Sequence, residues 1–182
     1  MELKEKILEI FYLANQQFLN RNIKIVDIDI NERTLCAQLS SFINRILEET
    51  ELSDYYCDVE YNRLGNCIKE INHKKKIIPD LIIHSRGEKV KDNLLVLEMK
   101  KITSGFRSMD YDRRKLRKMT KQHFEEFETH THYLYNYEVG VFYIIDTSRQ
   151  EITLEIYHNS KLIKTENHTF EYYMNYHQVY EK

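Results

Sequence analysis

Asp80 follows the chain's one proline, Pro79, and opens an apolar run from Leu81 to Ile83 that ends in His84. Seventeen residues separate it from Glu98, where a second apolar run, Leu94 to Leu97, gives way to Glu98, Met99 and Lys100. Side chains alternate across a strand, so Glu98 and Lys100 share a face while Met99 enters the opposite layer. A hairpin joining the two runs would bring Asp80 beside Glu98, gathering two carboxylates and an ammonium in one small space. Neighbouring acids repel unless a divalent cation lies between them, and hard carboxylate oxygens suit Mg²⁺ or Mn²⁺. Such an ion acidifies water and stabilises charge on a scissile phosphate, and Lys100 would orient the water, assist its deprotonation or stabilise the transition state. An acid-x-Lys triplet or a Pro-Asp turn taken singly is common in any protein. Their spacing, with strand-like sequence on both sides, is what gives the pattern its specificity.

The elements that must position these groups can be read on either side of them. Leu3, Ile7, Phe11, Ala14 and Phe18 recur at helical spacing and predict a helix over 2–20 ending near Asn20, with Ile23 to Ile30 following as a strand or extended connector. Asn31 is the expected N-cap of a second helix over about 32–49, whose stripe is Leu35, Leu39, Phe42, Ile43 and Ile46. Glu32 lies at the edge of that stripe, either complementing the helix dipole or supplying a further acid, and Glu49 at the far end is a second candidate. Tyr55 to Asn62 reads as a strand, Arg63 to Asn66 as a turn, and Lys69 to Lys76 as a solvated loop or a phosphate-contacting one. Pro79 cannot sit inside a central strand, so Asp80 falls at a strand's beginning. Leu94 to Leu97, apolar without alternation, is expected to be covered on both faces.

Helical spacing returns from Asp110 to about Thr129 through Leu116, Met119, His123 and Phe127, with Arg113, Arg114, Arg117, Lys118 and Lys121 on the flanks. Tyr137 to Asp146 reads as a buried strand, Glu151 to Tyr157 as an edge strand, and the Tyr- and His-rich tail as a short strand and a terminal helix.

A length of 182 residues suits one domain, and four Gly and one Pro leave no room for a flexible linker. No window approaches the ~20 apolar residues of a membrane span, and the charged N-terminus lacks a signal sequence, so a cytoplasmic protein with no membrane partner is expected. Three cysteines fit reduced thiols better than a disulfide framework. The formal charge of −2 argues against indiscriminate nucleic-acid binding. Cations nevertheless cluster in Lys69–Lys76, Arg86–Lys91 and Arg113–Lys121, which can build a local positive face.

Glu32-Arg33, Glu60-Tyr61-Asn62-Arg63, Pro79-Asp80, Glu98-Met99-Lys100-Lys101 and Asp112-Arg113-Arg114-Lys115-Leu116 stand in the order found in bacterial members of the PD-(D/E)xK nuclease superfamily, which the chain resembles over about residues 31–147. The resemblance implies a restriction-endonuclease-like core of α/β (α+β) class, with a central mixed β-sheet flanked by helices. Residues 1–30 would be an addition packed on that core, and 148–182 an edge strand and tail. It further implies that Asp80 and Glu98 bind Mg²⁺ or Mn²⁺, that Glu32 supplies another acid, and that Lys100 acts on the attacking water. Asp112, Arg113 and Lys115 would contact substrate or support the site. The expected activity is phosphodiester hydrolysis in DNA ahead of RNA. The alternative is a catalytically silent module on the same fold, binding nucleic acid or a protein partner, for which a homodimer is one form.

Overall fold

The computed structural model describes residues 2–61, 78–122 and 136–174, and between them short backbone segments at 63–64, 67–68, 70–71 and 75–76. Its elements in chain order are α1 (Leu3–Asp27), α2 (Glu32–Glu48), β1 (Tyr56–Val59), β2 (Arg63–Leu64), β3 (Cys67–Ile68), β4 (Glu70–Ile71), β5 (Lys75–Lys76), β6 (Leu81–His84), β7 (Asn93–Lys101), α3 (Phe106–Met119), β8 (Val139–Asp146), β9 (Glu151–His158), β10 (Lys161–Thr169) and α4 (Phe170–Met174). Six strands form one mixed sheet in the order β1-β6-β7-β8-β9-β10, so the chain is α+β. Only β7 and β8 in that sheet run parallel, the connection between them passing through α3.

Each face of the sheet is buried by different helices. Ile7, Phe11, Ala14 and Phe18 of α1 and Leu35, Leu39 and Ile43 of α2 share one core with Leu95, Leu97 and Met99 of β7. On the other face Val96 of β7 packs with Met109, Leu116 and Met119 of α3 and with Phe142 and Tyr157. The unbroken apolar run of β7 thus has the two-sided cover expected of it. Its alternation carries Glu98, like Val96, toward α3. Asn31 caps α2 as anticipated, its Oδ1 accepting the Thr34 N–H at 2.9 Å.

β6 and β7 form the expected antiparallel hairpin, with Leu81 opposite Leu97 and Ile83 opposite Leu95. Its connector is pinned by one side chain: Asp92 Oδ1 accepts from Ser85 N–H at 3.0 Å, Ser85 Oγ at 2.7 Å and Gly87 N–H at 2.9 Å. This network lets Arg86 and Gly87 adopt the left-handed backbone of a tight turn, at φ 58° and 89°.

Four expectations need correction. The first helix does not end near Asn20, and 23–30 holds no strand, because α1 continues to Asp27. Val26 falls seven residues after Leu19 and is buried with it, so packing overrides the β-branched bias of the segment. The third helix begins at Phe106 and stops at Met119, short of the expected Thr129; His123 and Phe127 lie outside the described residues. The stretch from Lys69 to Lys76 carries a small antiparallel ladder, Glu70 opposite Lys76 and Ile71 opposite Lys75. Finally, β9 is not the edge, since β10 pairs along its whole length. β10 looks like a tail in sequence because most of its side chains face solvent. Among the described residues no helix is long and apolar enough to cross a membrane.

Gly140 of β8 faces the C-terminal end of α3 at close range. A Cβ there would lie 2.8 Å from Thr120 Cγ2 and 3.2 Å from Tyr157 Cβ. Gly140→Ala is therefore expected to cost about 1–3 kcal/mol through overpacking, read as a lower midpoint in denaturant unfolding with an unchanged slope.

Candidate active site

The C-terminal end of β7 is met by three other elements. Asp80 stands just before β6, where its backbone carbonyl accepts the Glu60 N–H at 3.1 Å and its Oδ2 accepts the Met99 N–H at 2.8 Å. Glu60 has a left-handed backbone, φ 50°, which ends β1 and turns the chain away beside Asp80. The first residue of α2, Glu32, reaches the same place: its Oε1 accepts the Lys101 N–H at 3.1 Å. Two carboxylates are thus oriented by backbone amides of β7 and do not depend on side-chain packing alone.

Lys100 lies in the middle. Its Nζ is 3.4 Å from Glu32 Oε2, 3.9 Å from Asp80 Oδ2 and 3.7 Å from Asp112 Oδ2 of α3, and it donates to the Met99 carbonyl at 3.1 Å. Burial works against the ammonium, yet Asp80, Glu32, Asp112 and Glu98 together raise the Lys100 pKa. It is held charged.

Glu98 is buried with only 2% of its side chain exposed, and its Oε1 faces Lys115 Nζ of α3 at 2.6 Å. That contact is an ion pair without the geometry of a regular hydrogen bond, which leaves the buried Oε1 lacking one. Lys115 also donates to the Ile78 carbonyl at 3.1 Å, so it ties α3 both to β7 and to the segment leading into Asp80. Burial pushes the Glu98 carboxyl well above the usual range, with Asp80 adding to the rise and Lys115 opposing it. Asp80 is raised chiefly by burial, with Asp112 adding to it, and Asp112 is raised by burial as well. Burial is the first cause of all three rises, and the neighbouring acids add to it against the opposing lysines.

Glu32, Asp80, Asp112 and Lys100 are brought together directly, and Glu98 joins them through Lys115 and the electrostatic coupling above. Arg113 points elsewhere. Its guanidinium grips Glu155 of β9 through Nε at 2.9 Å and Nη2 at 2.7 Å, and the Tyr157 hydroxyl donates to the same carboxylate at 2.6 Å. Glu49, at the C-terminal end of α2, faces solvent at the opposite end of that helix from Glu32.

Two features were missed in the sequence. Arg33 pairs with Glu60 at 3.1 Å, stapling the first motif to the second. On the neighbouring strands, Asp58 is gripped by Arg86 at 2.8 and 3.0 Å and lies 3.0 Å from the buried His84, on whose ring Tyr61 packs at 4.3 Å. His84 and Arg86 hold the Asp58 carboxyl far below the usual range. Only the register that sets Asp58 opposite Ile82 reveals this network, and spacing along the chain carries no trace of it.

An all-oxygen, electron-rich set of acids fits a hard divalent cation in chemical type. Among the described residues, however, no three His, Cys, Asp or Glu side chains are gathered as a ready metal-binding group. The ammonium groups of Lys100 and Lys115 stand where positive charge is called for. Compared with protein-family models, with curated proteins and with solved structures, the chain finds no match.

Proposed function

We propose that the chain is a Mg²⁺- or Mn²⁺-dependent nuclease with a restriction-endonuclease-like core at residues 31–147, hydrolysing phosphodiester bonds in DNA ahead of RNA. The observation that carries this reading is Lys100, whose ammonium lies within 3.9 Å of acids from three separate segments, Glu32, Asp80 and Asp112. Evenly solvated surface charge does not concentrate in that way at the half-buried end of a central strand.

Asp80 and Glu98 would hold the cation, with Glu32 as a further ligand. When bound, the ion would supply Lewis-acid charge at the scissile phosphate and acidify water. The protein's own part is orientation. Met99 and Lys101 amides fix the Asp80 and Glu32 carboxylates, and Lys100 offers a permanent positive charge to the phosphate oxygens. In the metal-free protein the neighbouring acids outweigh burial and favour the Lys100 ammonium, which suits it to orient water and stabilise charge. On α3 the exposed Arg107 and Lys118 add positive charge that a nucleic-acid backbone could meet, while Arg117 lies over the Tyr157 ring, 5.6 Å from its centre.

The deciding experiment incubates the protein with supercoiled plasmid, linear single-stranded DNA and RNA, each with Mg²⁺, Mn²⁺ or EDTA. Metal-dependent cleavage of at least one substrate is expected, and its absence in all would end the proposal. Lys100→Ala should lower the cleavage rate by about 10²–10⁴-fold while Mn²⁺ binding, followed by calorimetry, persists.

A silent module on the same fold, binding nucleic acid or a protein partner such as a second copy of the chain, is favoured by one observation: Lys100 and Lys115 already lie against Glu32, Asp80, Asp112 and Glu98 as counter-ions. That reading expects neither Mg²⁺ nor Mn²⁺ to bind in a calorimetric titration.

A further inference from the structure

Lys115 has no place in the chemistry above, and its surroundings are unlike those of the other cations on α3. Arg114 and Lys118 are exposed, whereas 9% of the Lys115 side chain reaches solvent. Its ammonium fills the space against Glu98 at 2.6 Å and closes a second contact to the Ile78 carbonyl at 3.1 Å. A group so enclosed is not presented to a substrate backbone. It sits, moreover, on the one acid of the cluster whose buried oxygen lacks a regular hydrogen bond.

We propose that Lys115 is an internal counter-ion that occupies the cation position at Glu98 and must be displaced before a divalent ion can bind there, so that metal loading also releases the segment leading into Asp80. The inference rests on the nuclease reading, and it names a regulation of that site. It accounts for two observations together. Glu32, Asp80 and Asp112 gather around Lys100 and not around an open cation position, and the lysine most deeply set in α3 spans the segment leading into Asp80 and the strand that carries Glu98. With Lys115 on Glu98, an ion finds its principal ligand already neutralised. Once Lys115 swings toward solvent, Glu98 is available and the Ile78 carbonyl loses its donor, which frees Pro79 and Asp80 to adjust to the ion.

The exchange differs from a structural salt bridge in a measurable way. In wild-type protein, an amine-reactive probe followed by mass spectrometry should label Lys115 slowly in EDTA. With Mg²⁺ bound, labelling should rise about tenfold, as expected when one charge-assisted hydrogen bond no longer protects the amine, while Lys118 labels equally in both states. Lys115→Met should bind Mn²⁺ about tenfold more tightly than wild type in calorimetry near pH 8.5, where protons compete little for an acid. Should Lys115→Met fail to fold, the labelling of wild type still decides the matter. Protection of Lys115 in the Mg²⁺-loaded protein, or unchanged or weaker Mn²⁺ affinity in a folded Lys115→Met, overturns the exchange and leaves the nuclease reading standing. If wild type binds neither Mg²⁺ nor Mn²⁺, the reading beneath it falls as well.

Discussion

Glu98→Gln is expected to lower metal-dependent cleavage by at least about a thousandfold, the several kcal/mol that a correctly held cation contributes to a phosphoryl transition state. The substitution is nearly isosteric and keeps the Oε1 position facing Lys115, so the fold should survive. In EDTA the same variant reports on the electrostatics of the cluster. Folding raises the Glu98, Asp80 and Asp112 pKa values, so these groups bind protons more tightly in the native chain than in the unfolded one. Stability contributed in this way is fully present below the unfolded carboxylate range and is lost as pH rises through the folded values. Wild-type protein without metal should therefore gain stability on going from about pH 8 to pH 5, and Glu98→Gln should gain less. Asp58, Glu155 and Glu166 carry depressed values, and the stability they add is lost only as pH falls below the ordinary carboxylate range, outside that window. Thermal melts of both proteins across the window measure the difference, and parallel curves would show that Glu98 is not strained.

Arg113→Ala is expected to cost about 3 kcal/mol, the scale for removing one partner of a largely buried ion pair. Glu155 is 9% exposed and would lose a two-pronged donor, keeping only the Tyr157 hydroxyl. The guanidinium also lies 5.0 Å from the Phe142 ring centre, so packing is lost with charge. Equilibrium unfolding in urea gives the stability loss. Cleavage measured well below the melting temperature separates the role seen in the structure from the substrate contact the sequence suggested. A residue that only braces α3 against β9 leaves the rate constant of the folded fraction unchanged, whereas a phosphate contact weakens substrate binding and flattens its salt dependence.

The contrast between those two residues marks what was legible in the chain. Glu98 could be placed because a strand's alternation is rigid: once Leu94 to Leu97 is a buried strand, the directions of Glu98, Met99 and Lys100 follow. Asp80 could be placed because proline confines its neighbour to a strand's start, and Glu32 because Asn31 is a good cap. The Glu155 partner of Arg113 is not legible because helical spacing says which side chains share a stripe but not what lies opposite. Glu155 is forty-two positions away, on a strand reached through a crossover. Lys115 suffered the same ambiguity across the layer between α3 and β7. The extension of α1 through Ile23 and Val26 was hidden by β-branched residues, whose strand preference is weaker than the burial their helical spacing allows. The outer place of β10 was hidden because an exposed edge strand has no apolar face to announce it.

The two backbone contacts that orient the acids differ greatly in how far apart their partners lie along the chain. Asp80 meets the Met99 amide across 19 residues, within one hairpin, whereas Glu32 meets the Lys101 amide across 69. Closing the longer loop costs more entropy and depends on α2 having docked on the sheet. The shorter closure is therefore expected to form ahead of the longer one. A chain with only the β6–β7 hairpin in place already sets Asp80 against β7, but it lacks Glu32. If the proposed chemistry requires all of the acids, a chain whose helical layer had not closed over the sheet would lack it.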